Sequence, residues 1–283
     1  MTDLTAAYAE CARITRSRGA NFSVGFEELP EAKRTAVQAS YAFCRLADDL
    51  ADEPLLRADP RRLLAEWRAE LAAVYRGRAR HPVGVALTDT VRRYPIARRC
   101  FDDLIRGCEQ DLRFRAPQHL AALRRYCDLV ATPIGEISLS IFGGTRARLR
   151  PLARHLAHAL QWTNVLRDVR EDAERGRVYL PADWCSQEGI DGDVLSPATR
   201  AALFRVIGRG VLVARDHYDA ARELADGVDP DARSTVRLMV GVYREILDRI
   251  AADPARVLDE RVGLSDDEKL ALVQRERRAS ASV

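Results

Sequence analysis

The chain has no Cys-x-x-Cys pair; its six cysteines stand alone at positions 11, 44, 100, 108, 127 and 185. That spacing excludes the usual structural zinc sites. The residues around Cys11, Cys44 and Cys127 read as helix, which predicts buried free thiols and a reducing, cytoplasmic setting. Long apolar runs are missing too. The nearest, "IGEISLSIFGG", is short and carries Glu136, well under the roughly 20 uncharged residues of a membrane span. The opening "MTDLTAAYAECARITRSRGA" is charged throughout and has no apolar core of a secretory signal. No charge sign dominates: 45 Lys and Arg face 42 Asp and Glu, for a net +3. A nucleic-acid partner, which needs a basic excess, is therefore not expected. Gly-x-x-x-x-Gly-Lys, Gly-x-Gly-x-x-Gly, His-Glu-x-x-His and Glu-x-x-His are all absent. This removes the common nucleotide loops, the zinc-protease helix and the di-iron bundle. None of the five histidines lies in a nucleophile motif, so each reads as structural.

What is present is helix. Hydrophobic residues make up 47% and charged residues 31% of 283, a globular composition rich in the helix formers Ala and Arg. Helical periodicity spans roughly 3–18, 31–52, 60–76, 82–93, 96–114, 117–142, 150–173, 197–226, 230–252 and 265–280. Pro30, Pro60, Pro82, Pro117, Pro151 and Pro197 stand near segment starts, where proline is tolerated. The one strand-like stretch, "RVYLP" at 177–181, is short. No Gly-, Ser- or Pro-rich linker and no fixed repeat divides the chain. The expectation is one all-α domain over 1–283, with a frayed tail at "QRERRASASV".

Two acidic clusters stand out on apolar helices. Asp48, Asp49 and Asp52 close "YAFCRLADDLADE". A spacing of four puts Asp48 and Asp52 on one face, about 6 Å apart. They repel there, near a helix C-terminus that disfavours negative charge. Asp168, Glu171 and Asp172 follow the largely apolar "LARHLAHALQWTNVL", along which Gln161, Asn164 and Asp168 form a polar stripe. A polar stripe on a core helix needs partners. One such pair alone reads as a solvated helix end; two, each with nearby arginine, point to faces that meet across a cavity. All-oxygen ligands suit Mg²⁺ holding substrate phosphates, with Arg45, Arg167 and Arg177 as clamps. Metal-bound diphosphate beside apolar walls predicts ionisation of an allylic prenyl diphosphate.

On "YAFCRLADDLADE", "NVLRDVREDAERGRVYLP", "NFSVGFEELPEAKR" and "YCDLVATPIGEISLSIFG", the sequence resembles the squalene/phytoene synthases, the head-to-head prenyl transferases, over nearly its whole length. The resemblance implies the all-α isoprenoid synthase fold around a central cavity. It implies Mg²⁺ ligation by Asp48, Asp52, Asp168 and Asp172. Arg45, Gln161, Asn164, Arg167 and Arg177 would contact the diphosphates or order the metal shell, and Tyr41, Tyr243 and Arg261 would help hold the second diphosphate. A segment at Asn21, Phe22 and Ser23 would cap the first substrate. In the family reaction one diphosphate ionises and its C1 alkylates the double bond of a second. Proton loss then gives a cyclopropyl diphosphate that can rearrange.

Some positions depart from the family pattern. Asp128 stands where many members have tyrosine, "VATPIG" replaces a Val-Ala-Gly-like stretch, and Asn21 replaces a common serine. "ANF" and "ATPIG" resemble the branch that makes hydroxysqualene; "NVLRDVRED" and the 60–115 region resemble the branch that makes presqualene diphosphate. Asp128 reads as a base, a water-positioning group or a solvated helix residue. The leading expectation is a C15 enzyme acting through presqualene diphosphate. A C20 phytoene synthase and a prenyl transfer to an aromatic acceptor stay open, as do NADPH use, oligomeric state and a membrane-surface association that would release a lipid product.

Overall fold

The computed structural model describes residues 3–19, 23–52, 59–144 and 147–281, and every regular element among them is a helix. The positions Asn21 and Phe22 lie outside the described residues. Helix α1 (Leu4–Arg18) starts at Asp3, whose side chain accepts from the Thr5 N–H at 3.2 Å. The one-turn α2 (Ser23–Phe26) precedes α3 (Glu31–Asp52), whose Ala36, Ala39, Phe43, Ala47 and Ala51 are buried at helical spacing. Helices α4 (Pro60–Tyr75) and α5 (Pro82–Arg93) both place proline in the first turn, where its missing N–H is harmless. Then come α6 (Arg98–Asp111), α7 (Leu120–Val130) and α8 (Thr132–Phe142). The single run expected over 117–142 is thus broken at Ala131, because Pro133 cannot donate into a continuous ladder.

The run expected over 150–173 is also divided, into α9 (Leu149–Arg167) and α10 (Val169–Glu174), with Asp168 at the junction. Helix α11 (Ala182–Gln187) follows, then a 3₁₀ turn (Pro197–Thr199) and α12 (Arg200–Ala220). The chain ends with α13 (Leu224–Gly227), α14 (Pro230–Ala252), α15 (Arg256–Asp259) and α16 (Asp266–Ala281). "RVYLP" forms no strand.

One contiguous buried core runs from Ala7 to Leu264. On one side Phe43 stacks on Trp67 at 4.6 Å and meets Phe101 edge-on at 5.2 Å. On the other, α9 is packed between α8, α12 and α14. Gly135 lets α8 approach α9: a Cβ there would lie 3.0 Å from the Ala153 carbonyl oxygen. All six cysteines are buried and free, as the helical surroundings of Cys11, Cys44 and Cys127 predict. Among the described residues, no helix is long and apolar enough to cross a membrane.

Candidate active site

Helices α3, α8, α9 and α14 wall a cavity of about 530 Å³. Its floor is apolar: Ile134, Gly135 and Leu139 from α8, Ala153 and Ala157 from α9, Val236 and Met239 from α14. Its mouth is ionic. Asp48 and Asp52 arrive from the last turns of α3, and Asp168 and Asp172 from the α9–α10 junction; all four line the same cavity. Two clusters that are 120 residues apart in sequence thus face one space. The junction is local: α9 ends at Arg167, Asp168 takes φ −98° and ψ 16°, and its N–H still donates to the Asn164 carbonyl at 2.9 Å.

The four carboxylates fall into two kinds. Asp52 accepts from Arg177 Nη1 at 2.6 Å, with Arg175 at 3.9 Å. Asp168 takes a two-pronged grip from Arg167, at 2.8 and 2.6 Å, and a third contact from Arg261 at 3.1 Å. Asp48 and Asp172 have no ion-pair partner within 4 Å among the described residues. Burial pushes the Asp48 carboxyl up to about 7, against the pull of Arg45. Burial, then the charges of Asp168 and Glu171, push Asp172 up to about 7. Each motif therefore offers one carboxylate in an arginine ion pair and one that, among the described residues, has none.

The rest of the sequence-predicted set gathers here too. Tyr41, Arg45, Gln161, Asn164, Arg167, Arg177, Tyr243 and Arg261 all line the cavity. Arg45 Nη2 is paired with Asp49 Oδ1 at 2.5 Å, so Asp49 supports Arg45. Buried Arg167 hydrogen-bonds Tyr243 as well as Asp168. Ser23 opens α2 but is not among the lining residues; Gly19 and Phe26 are. Asp128 is not among them either. Its carboxylate accepts from Arg154 Nε and Nη2, both at 2.7 Å, contacts His158 Nε2 at 2.9 Å, and accepts from Thr132 at 3.2 Å. Those hydrogen bonds, opposed by burial, hold its carboxyl below the usual range. Asp128 is thus a helix-bridging anion, joining α7 to Arg154 and His158 of α9, which is none of the three roles considered for it.

Nothing in the sequence pattern marks Asp111. It closes α6, lines the cavity, and accepts 2.9 Å hydrogen bonds from the hydroxyls of Tyr126 and Tyr179. Burial raises its carboxyl above the ordinary value. A lone aspartate has no spacing partner to mark it, and its tyrosines come from α7 and from the segment after α10.

Do these residues fit Mg²⁺? Among the described residues, no three acidic, imidazole or thiol groups converge into a cage that would hold an ion alone. Mg²⁺ does not need one; it takes one or two carboxylates and keeps its other positions for water and substrate phosphate. Asp48 and Asp172 supply hard, uncompensated oxygens. Among the described residues, the buried Asn164 Oδ1 and Arg45 Nε have no hydrogen-bond partner and are open to polar ligands. The donor set fits.

Residues 15–268 match the squalene/phytoene synthase family. This chain belongs to that family. It is 36% identical over 272 residues to the phytoene synthase of Mycobacterium bovis, covering 94% of this chain and 88% of that one. It is 34% identical over 267 residues to the 15-cis-phytoene synthase of Synechococcus elongatus, covering 88% and 85%. Among solved structures, a dehydrosqualene synthase superposes with a TM-score of 0.86 at 25% identity, covering 99% of this chain and 98% of that one. The squalene synthase HpnC of Alicyclobacillus acidocaldarius superposes with a TM-score of 0.81 at 31% identity, covering 88% and 94%. The fold is the all-α isoprenoid synthase fold, and like other squalene/phytoene synthases this one is a prenyltransferase.

Proposed function

We propose that this squalene/phytoene synthase joins two allylic prenyl diphosphates head to head, with Mg²⁺ held at Asp48, Asp52, Asp168 and Asp172. The observation that carries the proposal is the polarity of a single cavity: an acidic, arginine-rimmed mouth over an apolar floor. Mg²⁺, when bound, neutralises diphosphate charge and makes it a leaving group. Arg45, Arg167, Arg177 and Arg261 are placed to share the diphosphate oxygens, and Gln161 and Asn164 to order the metal's water. Tyr41 and Tyr243 line the cavity near Arg45 and Arg167 and would help hold the second diphosphate. The apolar floor keeps water from the allylic cation. The C1–O bond of the donor breaks with the electron pair leaving on diphosphate. The double bond of the acceptor then attacks C1, and proton loss closes a cyclopropane.

For chain length we favour C20 substrates and a phytoene-type product. Curated relatives at 31–36% identity over most of the chain are named phytoene synthases. The C15 expectation keeps support from the resemblance to dehydrosqualene synthase and HpnC. Transfer to an aromatic acceptor would draw on Asp128 and the altered 131–135 stretch; Asp128 is held by Arg154 and His158 outside the cavity, while Ala131, Ile134 and Gly135 line it. Release of so apolar a product would suit association with a membrane surface. The test is incubation with C10, C15 and C20 diphosphates and Mg²⁺, with and without NADPH, and mass analysis of the extracted lipid. A C40 product from the C20 substrate supports the proposal. A product from C15 alone replaces it with the C15 reading, and a prenylated non-isoprenoid rejects both.

A further inference from the structure

Asp48 has an unusual companion. Among the described residues its one hydrogen-bond donor is the thiol of Cys108, whose Sγ lies 3.3 Å from Asp48 Oδ1. Cys108 is 3% exposed on the inward face of α6, with Leu104 and Ile105. The register of that helix is tightly set. A Cβ on the adjacent Gly107 would overlap the Val130 side chain, and α6 also packs against α3. The thiol is therefore delivered to Asp48 by rigid elements, not by a loop. Asp52 and Asp168 are oriented by arginines instead.

The difference has a chemical meaning. An arginine fixes a carboxylate and cancels its charge; a thiol is a weak neutral donor that can fix one oxygen and leave the charge in place. A carboxylate meant to receive a cation needs orientation without neutralisation. We infer that Cys108 is a positioning residue for Asp48: it holds Oδ1 and leaves the other oxygen to a divalent cation in the cavity. This rests on the proposed Mg²⁺ site. Donors behind metal ligands typically alter affinity 10–100-fold, and a thiol belongs at the lower end.

The test compares Cys108→Val, which keeps the bulk but not the donor, with Cys108→Ser, which restores a donor. Mg²⁺ is titrated calorimetrically into each full-length protein in the presence of inorganic diphosphate, and turnover is measured against Mg²⁺ concentration. Cys108→Val is expected to weaken Mg²⁺ binding roughly 10-fold, while kcat at saturating Mg²⁺ stays within about two-fold. Cys108→Ser is expected to bind like the unmodified protein. Equal affinities in all three proteins would overturn the inference, as would a kcat loss in Cys108→Val that saturating Mg²⁺ does not recover. Should Cys108→Val not fold, Cys108→Ala takes its place with the same two criteria. If the unmodified protein itself shows no Mg²⁺ binding with diphosphate, the metal site fails, and the positioning role with it.

Discussion

Replacing Asp172 by Asn should make the metal-free protein more stable while removing its activity. Asp172 lines the cavity without an ion pair among the described residues, and burial with the neighbouring Asp168 and Glu171 charges pushes its carboxyl from 3.8 to about 7. A shift of about three units corresponds to ~4 kcal/mol at most; solvent screening at this partly exposed site brings it to about 2 kcal/mol. The sign follows from where protons bind. The folded state holds a proton between about pH 4 and 7 that the unfolded chain releases, so stability falls as pH rises through that window. Asn carries no charge at any pH. Its gain over Asp should be full above pH 7, less than half at pH 5 and nearly nil at pH 4. Two kcal/mol is roughly 3 °C in Tm for a chain of this size. Thermal melts in EDTA at pH 8 and pH 5 read the difference. Adding Mg²⁺ with inorganic diphosphate should then raise the Tm of the unmodified protein but not of the variant. A variant less stable at pH 8, or equally stabilised at both pH values, would refute the assignment of Asp172 as an uncompensated carboxylate.

Ala157→Phe, on the cavity floor beside Gly135, should exclude the last isoprene unit of a C20 chain. Five buried carbons at ~0.8 kcal/mol each amount to ~4 kcal/mol, or a relative kcat/KM loss of about 10³ for C20 against C15; an unchanged preference in direct competition assays would show that the floor does not gauge chain length. The histidines of α9 and α12 predict acid sensitivity. His217 Nδ1 lies 2.9 Å from His155 Nδ1, and burial, then the charges of His158, His155, Arg124 and Arg154, push it down to about 4. The unfolded chain therefore takes the proton first, and stability is lost as pH falls from 6.5 to 4, by about 1 to 2 kcal/mol once solvent screening at this half-buried ring is allowed for. His217→Asn should flatten that part of the profile in urea unfolding, and a slope as steep as that of the unmodified protein would contradict the assignment.

Much of this was legible because helices carry local signals. The segments read as 31–52 and 230–252 are α3 and α14 to the residue, marked by Pro30 and Pro230 at their starts. The four aspartates that line the cavity were visible because charge at a spacing of four on an apolar helix is expensive unless used. The breaks at Ala131 and Asp168 were not visible: the apolar pattern runs through both, and tertiary packing decides where the helix bends. Asp111 stayed hidden because its meaning lies in Tyr126 and Tyr179, which only the fold brings to it. Asp128 misled in the opposite direction. It is conspicuous in sequence, yet Arg154 and His158, 26 and 30 residues later, hold it against α9.

The central claim is that paired aspartates and their arginines activate a prenyl diphosphate through Mg²⁺. Diphosphate release from C15 and C20 prenyl diphosphates, followed with the unmodified protein and with Asp48→Asn, tests it most directly. The account predicts release that requires Mg²⁺, stops with EDTA, and is abolished in Asp48→Asn while the helix content by circular dichroism is unchanged. Release that persists in EDTA, or in the Asp48→Asn protein, would contradict it.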